Sequence, residues 1–130
     1  ARGRLHFDIE IKGQNCEHKV LDVLARYPET RAAISSFDWD VLRTVRRLAP
    51  DFDLWVLTPT IDDAAIAAAH ELDATTLAVY HLSITQSSIA AAAASGLAVM
   101  AWTVNTQSEA DRLRALGVVA ICTDDPSDTV

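Results

Sequence analysis

The sequence predicts an α/β protein in which parallel strands alternate with helices. Six short β-rich runs start 20–27 residues apart, the length of one strand plus one crossover helix. The gaps between them carry helical patterns with recognisable start and stop residues. A chain of 130 residues has room for one compact domain, 1–130, and no linker or low-complexity stretch interrupts the alternation.

The first run, LHFDIEI (5–11), alternates strictly. Leu5, Phe7, Ile9 and Ile11 fall on one parity, and His6, Asp8, Glu10 and Lys12 on the other. Side chains change face at each residue of a strand, so this strand has one apolar and one charged face. A helix follows over 17–27, with Val20, Leu21, Val23 and Leu24 as its apolar stripe and Pro28 as its stop. The second strand is AAISSF (32–37). The helix over 38–48 takes Asp38 as its N-cap and ends before Pro50. FDLWVLT (52–58) is the third strand. The helix over 61–72 places Asp62 and Asp63 in its first turn, where the helix dipole favours negative charge. TTLAVYH (75–81) is followed by an Ala-rich helix, 85–95, that stops at Gly96. LAVMAWTV (97–104) leads into a helix over 108–116 that opens with Ser108 and ends at Gly117. VVAICT (118–123) is the sixth strand.

Alternating units of this kind imply a parallel sheet covered by helices. Two architectures compete. A closed (β/α)₈ barrel typically needs about 250 residues, so length favours an open doubly wound sheet. The polar residues at the strand ends point the other way.

Composition narrows the function. The formal charge of −7 and pI near 4.8 argue against nucleic acid as the main partner, because phosphate backbones need a basic surface. A small phosphorylated ligand needs only local positive charge. No apolar run reaches the roughly 18–20 residues that span a bilayer, so a protein that does not cross a membrane, in the cytoplasm, is expected. The chain opens with Ala1 and has no signal-peptide pattern, and an N-terminal portion is expected upstream. Cys16 and Cys122 are expected as free thiols, Cys122 packed in the interior. There is no glycine-rich phosphate loop, CxxC, HExxH or GxSxG, and only four glycines in all.

In either architecture ligand chemistry collects at the C-terminal ends of the strands. Those ends read Glu10 and Lys12; Ser36 and Phe37; Thr58; Tyr80 and His81; Trp102, Thr103 and Asn105; and Thr123, Asp124 and Asp125. Glu10 and Lys12, two residues apart, share a face with about 7 Å between them. A carboxylate is a hard ligand for Mg²⁺ or Ca²⁺, and an ammonium suits phosphate. The pair is either a cation-and-anion site or a weak ion pair on a wet strand. Trp102 shares the parity of Met100 and is either core or ligand wall. His81 is either a general base or a hydrogen-bonded structural residue.

Four segments, taken in order, resemble one family. IEIKG (9–13), SFDWDVL (36–42), AWTVN (101–105) and GVVAICTDDP (117–126) are similar to the glycerophosphodiester phosphodiesterases. The resemblance spans nearly the whole chain. It implies a TIM barrel, here an incomplete one of about six strands. It also implies hydrolysis of glycerophosphodiesters to glycerol 3-phosphate and an alcohol, with a divalent cation, Mg²⁺ or Ca²⁺. By resemblance, Glu10 is the third carboxylate ligand of the metal, Lys12 contacts phosphate, and Phe37 and Trp102 line the glycerol side of the pocket.

The family's H-R-G, E-x-D and H-D motifs have no match, and these carry the acid–base histidines, an arginine and two metal ligands. ARG at 1–3 lacks the histidine. This chain alone is therefore expected to hold a cation weakly or not at all and to show little or no hydrolysis. The alternative is a non-catalytic phosphate-ligand-binding or interaction module on the same scaffold. Two open strand edges would remain, to be covered by upstream residues, by self-association or by repacking as an open sheet.

Overall fold

The computed structural model describes residues 5–128; the ARG stretch at 1–3 lies outside them. Six strands form one sheet: β1 (His6–Glu10), β2 (Arg31–Ser36), β3 (Asp53–Thr58), β4 (Thr76–Tyr80), β5 (Ala98–Trp102) and β6 (Ala120–Ile121). Between them run α1 (Glu17–Ala25), α2 (Trp39–Leu48), α3 (Asp63–Glu71), α4 (Gln86–Ala94) and α5 (Gln107–Leu116). All five strand pairings are parallel, and spatial order follows chain order from β1 to β6. A doubly wound sheet reverses its order at a switch point. None occurs here, and the sheet curls instead into half of a TIM-like barrel.

Local sequence explains most boundaries. Asp38, Asp62, Thr85 and Thr106 each cap a helix by accepting a backbone N–H, from Asp40, Ala65, Ser88 and Glu109 respectively. Thr85 and Ser88 complete a reciprocal capping box. α5 thus starts one residue before the expected Ser108. Gly117 ends it in the left-handed region, at φ +99°.

The interior has two layers. Between sheet and helices lie Ile34, Leu54, Val56, Leu77, Val79 and Val99, packed on Leu42, Val45, Ala65, Ala69 and Leu113. The concave face carries a smaller layer of Leu57, Ala78 and Met100, bordered by Trp55, Trp102 and Ala120. Burying an aliphatic side chain contributes about 1.5–3 kcal/mol, so the helix-covered layer dominates stability.

The two edge strands depart from expectation. In and beside β1, Leu5 and Phe7 remain exposed and only Ile11, just past its end, is buried, because an edge strand has a neighbour on one side. Val23 of α1, placed in the apolar stripe by periodicity, is likewise exposed. β6 pairs over two residues rather than six. Cys122, expected in the packed interior, is exposed beside that edge; both cysteines are free thiols.

Candidate functional site

Register fixes which side chains face the hollow of the half-barrel. Leu57, Ala78, Met100 and Ala120 stand opposite one another on β3 to β6 and belong to the concave layer. Trp55, two residues before Leu57, is opposite Ser35, which is opposite Glu10. Side chains in register on parallel strands share a face, so Glu10 points into the hollow. By the same step Tyr80 and Trp102, paired with each other, rise from that face at its C-terminal rim.

At this rim Lys12 Nζ lies 3.4 Å from Glu10 Oε2, with the lysine side chain 79% exposed and the glutamate 34%. The ammonium is free to meet solvent or ligand. A cleft of about 390 Å³ runs along Glu10, Ile11, Lys12, Ser36, Phe37 and Asp38. Buried Ser36 holds its two sides together, donating to the Ile11 carbonyl at 2.7 Å and accepting the Asp38 N–H at 3.1 Å. Phe37 leaves the cleft to meet Trp102 edge-on, ring centroids 5.4 Å apart. Trp102 in turn lies 5.3 Å from Tyr80. The structure therefore gathers Glu10, Lys12, Phe37 and Trp102 on one rim, the last reached through Phe37.

Two neighbours of Glu10 were not singled out by sequence. Asp8 lies one step down the same face, and burial, reinforced by the Glu10 charge, pushes its carboxyl up from the ordinary value, while nearby Ser35 pulls it down. The Ser35 hydroxyl is fully buried and makes no hydrogen bond of ordinary geometry among the described residues. Strand alternation placed Asp8 on the charged face; only the pairing partner revealed Ser35.

Behind the rim, polar networks hold its loops. Asn105 accepts the Asp124 N–H at 3.0 Å and donates to the Asp124 carboxylate at 2.8 Å, while Thr123 donates to Asn105 Oδ1 at 3.2 Å. This joins the W-T-V-N and T-D-x-P segments across β5 and β6. His81 is held in place: its Nδ1 is 2.8 Å from Glu109, which Arg112 also holds at 2.6 Å. Arg112, first, and His81 hold the Glu109 carboxyl down at about 2.

Among the described residues, no group of three or more His, Cys, Asp or Glu side chains is arranged to hold a metal ion. A divalent cation of the Mg²⁺ or Ca²⁺ type takes six to eight oxygen ligands, from water or substrate as well as protein. Glu10 with Asp8 is too few protein donors to fix one. A larger cleft of about 490 Å³ lies along α2, but two of its three arginines are committed, and the third, Arg47, donates to the Thr44 hydroxyl at 3.1 Å. Arg43 binds Glu71 and Asp40, and Arg46 donates to the carbonyls of Leu72, Pro50, Phe52 and Asp73.

Comparison with known proteins bears on the family and the fold. A glycerophosphodiester phosphodiesterase of Caldanaerobacter subterraneus subsp. tengcongensis is 28% identical over 125 residues, covering 92% of this chain and 51% of that protein. An Oleispira antarctica phosphodiesterase, solved in complex with the product sn-glycerol-3-phosphate, aligns with a TM-score of 0.85 at 23% identity, covering 92% of this chain and 51% of that one. A Parabacteroides distasonis glycerophosphodiester phosphodiesterase gives 0.77 at 21%, covering 95% and 54%. At such identities the structures attest the fold alone. The chain spans about half the length of the relatives it matches. Residues 7–128 match the family model of the glycerophosphoryl diester phosphodiesterases, and the chain belongs to that family.

Proposed function

We propose that this chain supplies the E-x-K part of a barrel that hydrolyses glycerophosphodiesters to glycerol 3-phosphate and an alcohol. The observation that carries the reading is the rim itself: an inward carboxylate and an exposed ammonium in one cleft with Phe37, whose ring meets Trp102. Lys12 offers a point charge to the phosphate. Phe37 and Trp102 offer apolar surface to the carbon skeleton of the glycerol. Glu10 contributes one carboxylate toward a divalent cation, Mg²⁺ or Ca²⁺, whose other ligands come from outside the described residues. The net charge of −7 fits a small phosphodiester better than nucleic acid. Among the described residues no helix is long and apolar enough to cross a membrane, in keeping with work in the cytoplasm.

Hydrolysis also needs a base for the attacking group and an acid for the leaving alcohol. The family's H-R-G and H-D motifs, which carry that acid–base pair, have no match in this chain, and His6 starts β1, away from the C-terminal rim. The 130-residue chain by itself is therefore proposed to be inactive. A second reading, a phosphate-binding module without catalysis, is favoured by the missing H-R-G and H-D motifs. The open edges of β1 and β6 would be covered by further strands or by a second copy.

The test is release of glycerol 3-phosphate from a glycerophosphodiester with Mg²⁺ or Ca²⁺. It is measured for the chain alone and for a longer polypeptide that completes the barrel. Release from the longer protein only is expected; no release from either would leave the binding-module reading in its place.

A further inference from the structure

We infer that Tyr80 is a further ligand-contacting residue, which recognises the hydroxylated organic end of a phosphate ester and so sets which esters the rim accepts. This rests on the reading above that Glu10 and Lys12 mark a phosphate site. Tyr80 is the last residue of β4 and stands in register with Trp102, the last of β5. Two positions earlier, Ala78 and Met100, also in register, belong to the concave layer, so both rings rise from the hollow at its mouth. Their centroids are 5.3 Å apart with planes tilted 44°, and Phe37 meets Trp102 from another side at 5.4 Å and 84°. Three rings thus form one aromatic wall beside the Glu10–Lys12 cleft.

The rings differ in what they present. Phenylalanine has no polar atom, and the Trp102 indole N–H is buried without an acceptor among the described residues. Tyr80 is 38% exposed, whereas Leu57 and Met100 deeper on the face are 6% and 5%. Its phenol makes no hydrogen bond to any described residue. It is the wall's available polar atom, able to donate and accept. A polyol presents C–H surface and hydroxyl groups together, and a ring edged by a phenol matches both.

The loop after Tyr80 is also fixed before any ligand arrives. Ser83 donates to the Tyr80 carbonyl at 2.8 Å, Arg112 donates to the His81 and Ile84 carbonyls at 3.0 and 3.1 Å, and His81 is held by Glu109 at 2.8 Å. A ring placed in advance costs little ordering on binding. Were Tyr80 only packing for Trp102, removing its hydroxyl would leave binding unchanged.

Calorimetry on the 130-residue chain, Tyr80→Phe and Tyr80→Ala, with sn-glycerol 3-phosphate and with inorganic phosphate, separates these roles. Loss of one neutral hydrogen bond is expected to weaken glycerol 3-phosphate about 3–10-fold in Tyr80→Phe, and loss of the ring about 10-fold or more in Tyr80→Ala. Inorganic phosphate should bind all three within about two-fold, with unfolding of Tyr80→Phe unchanged by circular dichroism. Tyr80→Phe binding the ester as tightly as wild type, or both ligands weakening together, overturns the inference while leaving the phosphate site standing. So does wild type binding glycerol 3-phosphate no more tightly than phosphate. Wild type binding neither overturns the phosphate site and this inference with it.

Discussion

Glu10→Gln separates a structural acid from a functional one, because it keeps the side-chain shape and removes the charge. The structural stake is small. The contact to Lys12 is 3.4 Å, the lysine is 79% exposed and the glutamate 34%, and exposed ion pairs contribute about 0.2–1 kcal/mol. Losing the Glu10 charge also relieves Asp8, whose carboxyl that charge helps to push up. The net loss should stay below about 1 kcal/mol. With about 2.1 cal/mol/K of unfolding entropy per residue over 130 residues, Tm should fall by less than about 4 °C. In the protein that completes the barrel, a neutral amide replaces a hard anionic ligand. Metal-dependent release of glycerol 3-phosphate should drop about 100-fold or more. Calorimetric unfolding and a product assay read the two effects separately. Unchanged turnover, or a Tm loss of about 8 °C or more (twice the ceiling above), would refute the assignment of Glu10 to the site.

Other consequences are equally direct. Arg46→Met strands four carbonyls, of which those of Leu72 and Phe52 are part-buried; a loss of about 3 kcal/mol is expected by urea unfolding, with Arg46→Lys recovering part of it. Glu109 is held at about 2 against an ordinary 4.5. A depressed carboxyl stabilises the fold above its unfolded pKa, so its contribution is complete above pH 4.5 and fades as pH falls toward about 2. Glu109→Gln should flatten that stretch of the stability profile. Asn105→Ala removes three hydrogen bonds between the β5 and β6 loops, all exposed, and should cost about 1–2 kcal/mol in thermal unfolding.

The alternation of strand and helix was legible because each signal is local. Asp38, Thr85 and Gly117 act at the helix ends where their chemistry puts them. Parity alone put Glu10 with Lys12 and Trp102 with Met100. It could not say which parity faced the hollow, since that depends on which strands pair, and the sequential order decides it. The exposure of Phe7, Val23 and Cys122 was hidden for the same reason: an apolar pattern does not reveal whether a neighbour exists to cover it. Tyr80 was visible as a strand-end residue, but its pairing with Trp102 is a long-range fact. The family likeness depended on four separated segments whose meeting only the fold explains; two of them, W-T-V-N and T-D-x-P, touch through Asn105.

The hydroxyl of Ser36 bonds the end of β1 on one side and the first turn leading into α2 on the other. A charged strand tip and an aromatic loop that might have drifted independently are thereby riveted into one bracket. Any shift that widens the gap for a bulkier guest must carry the acid, the amine and the phenylalanine along together. Tuning this mouth from the Phe37 side therefore moves ring and charge at once, whereas the Tyr80 ring, 5.0 Å from that of His81, is tied to the Glu109 network behind the rim instead.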